Sequence, residues 1–178
     1  MTQQIYNDPP DEALVKAIIN NDHEAFKKLY YRYYSMLIRF AWYRLHSMED
    51  SKELVQELFF RIWIKRENLD PYKSIKAYLY RSLNNLIINY SKLSSSKTAS
   101  IEDIRIEKSL KQENDPDTNI DIQNAIQKLP EKLKAVYILS RVEGYKYNEI
   151  AEIYCISIKA VEKRMSKAFN ILRKFFKE

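Results

Sequence analysis

The final helix that this sequence can form begins at Ile158. Its apolar stripe is Ile158, Val161, Met165, Ala168, Leu172 and Phe175, and Lys159, Glu162, Lys163, Arg164 and Lys167 project from the other sides. A basic face on a helix gripped by an apolar seam suits phosphates and base edges in a major groove. Further upstream, Arg81, Asn84, Asn85, Ile88 and Lys92 share the face of a helix opposite its apolar stripe. Amides offer both donors and acceptors, and flanking cations suit the backbone of a nucleic acid. An ordinary solvated helix surface has the same composition. The loop Lys65 to Lys73 adds cations and one aromatic, Tyr72, a mixture that can hold single strands by charge and stacking. A third set is Glu53, Gln56, Glu57, Phe60 and Ile64, again on one side of a helix. Large apolar residues beside acceptor-rich side chains fit a partner protein, unless Phe60 and Ile64 pack on the first helix. His23 and His46 have no companion ligands, and nothing resembles a nucleophile–base pair or a phosphate-binding glycine loop. The chemistry on offer is binding rather than catalysis, with no metal or cofactor expected.

Helices must position these sets. One glycine and five prolines leave little material for hairpins, and apolar residues recur at helical spacings almost throughout. The expected class is all-α: two small helical domains joined by a flexible linker, the second a helix-turn-helix. The first domain (1–93) contains helices near Asp11 to Asn20, His23 to Leu45, Ser47 to Arg66 and Ser74 to Leu93. Ser47, three residues before Asp50, suggests a capping box. The third helix turns Leu54, Val55, Leu58, Phe59, Ile62 and Trp63 to the core. The fourth turns in Ile75, Leu79, Leu83, Leu86, Tyr90 and Leu93. Residues 94–119 are rich in Ser, Asn and charge and read as a linker, with a transient helical turn around Ile101 to Leu110. In the second domain (120–178), Pro130 opens one short helix and Gly144, the single glycine, closes it. Tyr147 to Tyr154 follows, then the turn Cys155-Ile156-Ser157, with Ser157 as the N-cap of the basic helix.

Charge agrees with that division without deciding it. Residues 1–93 carry 14 cations against 11 carboxylates, 94–119 carry 4 against 6, and 120–178 carry 12 against 7. A small basic C-terminal unit fits an electrostatic footprint on DNA, although basic surfaces are also common elsewhere. One cysteine, Cys155, excludes an internal disulfide. The N-terminus lacks the pattern of a signal peptide, and no apolar stretch approaches the roughly 20 residues of a membrane span. A soluble, cytoplasmic protein without membrane insertion is expected.

Taken together, these segments resemble the extracytoplasmic-function sigma factors of the sigma-70 family, the minimal bacterial transcription initiation factors. HEAFKKLYYRYYSMLIRFA (23–41) looks like their opening long helix, and EDSKELVQELFFRIW (49–63) like the segment that binds the clamp helices of the polymerase largest subunit. SIKAYLYRSLNNLIINY (74–90) resembles the helix that recognises the −10 element. LPEKLKAVYILSRVEGYKYNEIAEIYCISIKAVEKRMSKA (129–168) resembles the −35-binding helix-turn-helix. The resemblance implies that Glu53, Gln56, Glu57 and Phe60 dock on core RNA polymerase. It implies that Tyr72, Arg81, Asn84, Asn85 and Lys92 serve the −10 element, Asn85 at the melted strand and the 65–73 loop around a flipped base. Ser157, Lys159, Glu162, Lys163, Arg164 and Lys167 would serve the −35 element of promoter DNA, and an anti-sigma factor would hold the chain in check.

This sequence departs from the family pattern at several places. Cys155 stands where Gly, Asn or Asp is more usual because the turn is left-handed, at a cost on the order of 1 kcal/mol. Asn84 and Ser91 stand where a basic residue is frequent, which implies weaker duplex contacts upstream of the melted region. Glu162 replaces a frequent cation and either accepts from a cytosine amino group or orients Lys159 or Arg164 by an ion pair. The residues alone also suit a conventional dimeric or ligand-sensing DNA-binding regulator, or an adaptor that binds polymerase without DNA.

Overall fold

A computed structural model of the protein describes residues 8–98 and 123–175. All regular elements among them are helical. The N-terminal unit contains α1 (Asp11–Ile19), α2 (His23–Leu45), α3 (Met48–Ile64) and α4 (Ile75–Thr98). The C-terminal unit begins with a short helical segment, α5 (123–127). It continues through α6 (Glu131–Tyr137), a π-helical turn (Ile138–Val142), α7 (Tyr147–Tyr154) and α8 (Ile158–Phe175).

Side-chain caps set where the helices start. Asp22 accepts from the amides of Glu24 and Ala25 at 2.9 and 3.0 Å, opening α2. Ser47 Oγ accepts from Asp50 at 3.1 Å to open α3, and Ser74 Oγ accepts from Ala77 at 3.1 Å to open α4. Each supplies an acceptor that the first helical turn otherwise lacks. In α3 the apolar face is the expected one, with Leu54, Val55, Leu58, Phe59 and Ile62 buried and Trp63 half-buried.

Helix α4 differs from expectation in three ways. It extends five residues beyond the expected boundary at Leu93, to Thr98. Its expected core stripe ends at Leu86, because Tyr90 is half-buried and Leu93 is 64% exposed. Asn84, placed by its wheel position on the outward side, is buried. The cause is that α4 is covered on two sides, by α2 and α3 and by α7. Ala77, Tyr80, Asn84 and Ile87 are consequently buried along with Ile75, Leu79 and Leu83. The expected linker from residue 99 onward, with its turn at 101–110, lies outside the described residues.

The two units share a core. One cluster of buried apolar residues includes Phe40, Leu79 and Tyr80 of the first unit with Val136, Ile138, Leu139 and Ile150 of the second. Tyr80 lies edge-on between Phe40 and Tyr145, with ring centroids 5.3 Å from each.

His46 closes α2 in the left-handed region, at φ 56°, where its amide donates to the Trp42 carbonyl at 2.8 Å. Burial, and then the nearby Lys134 ammonium, hold its pKa below the ordinary 6.5. The unfolded chain binds this proton more readily than the folded one. Stability is therefore full above the unfolded pKa and declines as pH falls through the folded value. The expected result is an unfolding midpoint that falls as pH drops below about 6.5, the ordinary imidazole value. In His46→Asn, which keeps a residue tolerant of the left-handed region, that limb flattens. Scanning calorimetry across that pH measures it.

Candidate nucleic-acid interface

The C-terminal unit has a helix-turn-helix made by α7, a three-residue turn and α8. Ile150 and Ile153 anchor α7, while Val161, Met165, Ala168 and Leu172 anchor α8, all buried. Ile158 and Phe175, at the two ends of the stripe, are 48% and 36% exposed and so fall short of the expected core. Gly144 ends the preceding π turn at φ 76°, a conformation that glycine adopts without penalty. The tight turn requires Cys155 at φ 51° and ψ 47°, in the left-handed region. Its thiol side chain is exposed and contributes little packing. Cys155→Gly is therefore expected to stabilise the fold by about 1 kcal/mol, or roughly 2–4 °C in the unfolding midpoint, measurable by thermal denaturation.

Beyond the turn, Ser157 Oγ accepts from the amide of Ala160 at 3.2 Å, so the N-cap stands where it was expected. Lys159, Glu162, Lys163 and Lys167 are exposed on α8, and Arg164 is half-buried on the side nearer Tyr154. Among the described residues Glu162 forms no ion pair with Lys159 or Arg164. That leaves its carboxylate available as an acceptor in an otherwise cationic row.

On the N-terminal unit, α3 and α4 flank an open groove of about 590 Å³. It brings together Glu53, Gln56, Glu57 and Phe60, four residues the sequence groups by helical phase. Phe60 is 62% exposed and Ile64 59%, so neither packs on α1. Glu57 accepts from Arg61 Nε at 2.5 Å, four residues along the same helix. The opposite wall is supplied by Leu86, Asn89, Tyr90 and Leu93 of α4. Sequence reasoning missed this wall because Leu86, Tyr90 and Leu93 have core spacing. Their interval does mark one face of α4, and that face closes only partly over α3.

A second, smaller cavity of about 210 Å³ lies between the same helices. Among its lining residues are Lys65, Tyr78, Ser82, Asn85 and Asn89. Asn85 thus borders a recess of mixed character, with Leu58, Ile62 and Leu86 also in its lining. Tyr72 is 80% exposed on the following loop. Asp70 Oδ1 accepts from the Tyr72 amide at 3.0 Å, and Lys16 Nζ lies 4.8 Å from the ring centroid. Lys92 is exposed near the far end of α4. Arg81 and Asn84 are directed elsewhere. Arg81 Nε donates to the Ile153 carbonyl at 3.1 Å, at the C-terminus of α7. Asn84 Oδ1 accepts from Arg44 Nη1 at 2.6 Å. Of the predicted −10 set, only Asn85 lines the recess; Tyr72 and Lys92 are exposed outside it, Arg81 reaches the C-terminal unit and Asn84 is held by Arg44 of its own unit.

Residues 29–95 match the family model for sigma-70 region 2, and residues 119–172 match that for sigma-70 region 4. The chain belongs to the sigma-70 family. Within it, this sigma factor is of the extracytoplasmic-function type and acts in promoter recognition at transcription initiation. It is 22% identical over 174 residues to the ECF RNA polymerase sigma factor SigW of Bacillus subtilis, covering 90% of this chain and 93% of that one. It is 27% identical over 181 residues to the ECF RNA polymerase sigma-E factor of Haemophilus influenzae, covering 91% and 93%. Its fold is similar to that of CnrH, solved in complex with the cytosolic domain of CnrY. That match has a TM-score of 0.71 and 20% identity, covering 94% of this chain and 97% of that one. The sigma factor RpoE of Bartonella quintana, solved with the anti-sigma factor NepR, gives 0.69 at 22% identity, covering 85% and 96%. In the sigma factor, the α3–α4 groove and recess thus fall within region 2, and the helix-turn-helix within region 4.

Proposed function

We propose that the sigma factor docks on core RNA polymerase through Glu53, Gln56, Glu57 and Phe60, with Ile64 extending the apolar part of that surface. The observation that carries this reading is the open groove holding all four residues on the same chain as a basic helix-turn-helix. Exposed aromatic and aliphatic side chains rimmed by carboxylates and amides are the composition of a protein-binding patch. A regulator acting by DNA alone has no use for it.

Promoter contacts divide between the units. On α8, Ser157, Lys159, Glu162, Lys163, Arg164 and Lys167 read and hold the −35 element, the lysines through phosphate and Glu162 through a base-edge donor. On the first unit, Asn85 serves the melted −10 strand, and Tyr72 and Lys92 add exposed contacts on the following strand or backbone. The 210 Å³ recess is below the roughly 300–1,000 Å³ typical of small-molecule sites, a size suited to one unstacked base. Amide, hydroxyl and ammonium groups there can hydrogen-bond the base edge, and Tyr78 can stack, which offsets the few kcal/mol of unstacking. Two tethered sites raise each other's effective concentration, so neither needs high affinity.

In this role the chain supplies recognition and makes or breaks no covalent bond itself. No helix among the described residues is long and apolar enough to cross a membrane, and the work is done in the cytoplasm, where polymerase and promoter are. An anti-sigma factor is a further partner, as the complexes of the structural neighbours suggest. The test is capture of promoter fragments from a genomic library by the chain with core polymerase. A shared pair of motifs at fixed spacing is expected. Fragments without a −10-like element, or capture that is equal without core, would contradict the reading.

A further inference from the structure

The loop between α3 and α4 turns its one aromatic ring outward and still fixes its position. Tyr72 is 80% exposed, yet Asp70 Oδ1 accepts from its amide at 3.0 Å. From α1, Lys16 Nζ lies 4.8 Å from the ring centroid. The rest of the loop is fastened to the same end of the unit. Arg66 donates from Nε to Asn21 Oδ1 at 2.5 Å and from Nη1 to the Trp63 carbonyl at 2.8 Å, and its guanidinium lies 4.7 Å from the Trp63 ring centroid. Asn21 joins α1 to α2 at φ 68°, a left-handed conformation that asparagine tolerates. Leu69 packs against the core. Helix α1 and the loop thus form one surface, with Lys16, Lys65, Tyr72 and Lys73 exposed on it.

An aromatic face set among cations suits a single strand, whose bases stack and whose phosphates need positive charge. Lys65, at one end of the loop, lines the recess that holds Asn85, and Tyr72, at the other end, meets α1. A strand leaving the recess along this loop reaches Tyr72 and Lys16 next. Lys16 covers one face of the ring, and with the ring 80% exposed its other face is open to a base. The Lys16 ammonium also meets Glu12 Oε1 at 2.5 Å, but both side chains are about half exposed, and such a pair is weak enough for a phosphate to displace. We propose that α1 belongs to the −10 strand site: Lys16 holds a backbone phosphate of the nucleotide that stacks on Tyr72, next to the unstacked base. Glu12 competes with that phosphate and limits the affinity. Lys16 lies outside the residues matched to sigma-70 region 2, which begin at residue 29. The proposal rests on the assignment of the recess to the melted strand.

The experiment uses the full chain bound to core RNA polymerase and single-stranded −10 oligonucleotides of a captured promoter. Each oligonucleotide carries one phosphate replaced by a neutral methylphosphonate, and anisotropy measures its affinity. With the parent chain, one replacement beside the unstacked base is expected to cost about fivefold, and with Lys16→Gln the same replacement costs nothing further. On the unmodified strand, Lys16→Gln is expected to lose about fivefold and to flatten the salt slope by roughly 0.7, while Lys16→Arg stays near the parent in both. Glu12→Gln should bind about twofold more tightly. Tyr72→Ala should lose about tenfold, a loss that disappears when the nucleotide bearing that phosphate is abasic.

Lys16 is exposed, so glutamine there should leave the unfolding midpoint near that of the parent. A loss of affinity in Lys16→Gln that leaves the penalty at every phosphate unchanged marks a structural effect and overturns the proposal. So does parent-like binding by Lys16→Gln while Asn85→Ala binds weakly. Failure of the underlying assignment looks different: Asn85→Ala then binds as the parent does, and the recess and α1 lose their role together.

Discussion

Phe60→Asp is expected to weaken binding to core RNA polymerase about a hundredfold, or roughly 2.7 kcal/mol, while leaving the unfolding midpoint nearly unchanged. The two halves of that expectation have separate causes. Phe60 is 62% exposed, so the fold gains little from its ring and loses little when it goes. In a docked complex the same ring sits in the apolar centre of the contact, where truncation of an aromatic anchor commonly costs 2 kcal/mol or more. Aspartate adds an unpaired charge that must be desolvated. Glu57→Ala is expected to do less, because Glu57 is already engaged by Arg61 on the same helix. Titration of labelled chain with core polymerase, alongside thermal denaturation, measures both quantities. A fall in binding that merely tracks unfolding would remove Phe60 from the interface.

Replacing Lys159, Lys163 and Lys167 together by alanine is expected to lower affinity for −35 duplex DNA on the order of a hundredfold at moderate salt. The more diagnostic quantity is the salt dependence. Each phosphate contact contributes about −0.9 to the slope of log affinity against log salt, so losing three flattens it by roughly 2.7. All three lysines are exposed on α8 and alanine favours the helix, so the fold is retained. Glu162→Gln changes a different property. It leaves the slope almost intact and alters preference among duplex sequences, because its carboxylate is an acceptor rather than a phosphate contact. Anisotropy titrations over a range of salt concentrations separate the two behaviours.

Features that depend on one helix and its ends were legible in the sequence. The phase of α3 separated its buried face from Glu53, Gln56, Glu57 and Phe60, and Ser47 and Ser157 marked helix starts that bear their caps. The family resemblance implies a left-handed conformation at Cys155, and the residue has it. What depended on partners distant in the chain was not legible. Asn84 has the spacing of an outward residue, yet Arg44, 40 positions earlier, draws it into a buried contact. Arg44 in turn is positioned by Glu131, 87 residues away. A wheel treats one side of a helix as inside, and α4 has two. The π turn after α6 was also unforeseen, since no residue type marks it, and it places Ile138 and Leu139 in the core together.

The central claim is that one chain joins polymerase to two promoter elements, and run-off transcription tests it most directly. Core polymerase, the purified chain and a linear template carrying a captured promoter are combined, then the experiment is repeated with Phe60→Asp, with Asn85→Ala and with the triple lysine variant. A transcript of defined length is expected only when the chain is present. Phe60→Asp should abolish it, Asn85→Ala should weaken it at the strand-opening step, and the lysine variant should lose it as salt rises. A transcript of equal yield without the chain, or one indifferent to all three changes, would contradict the account.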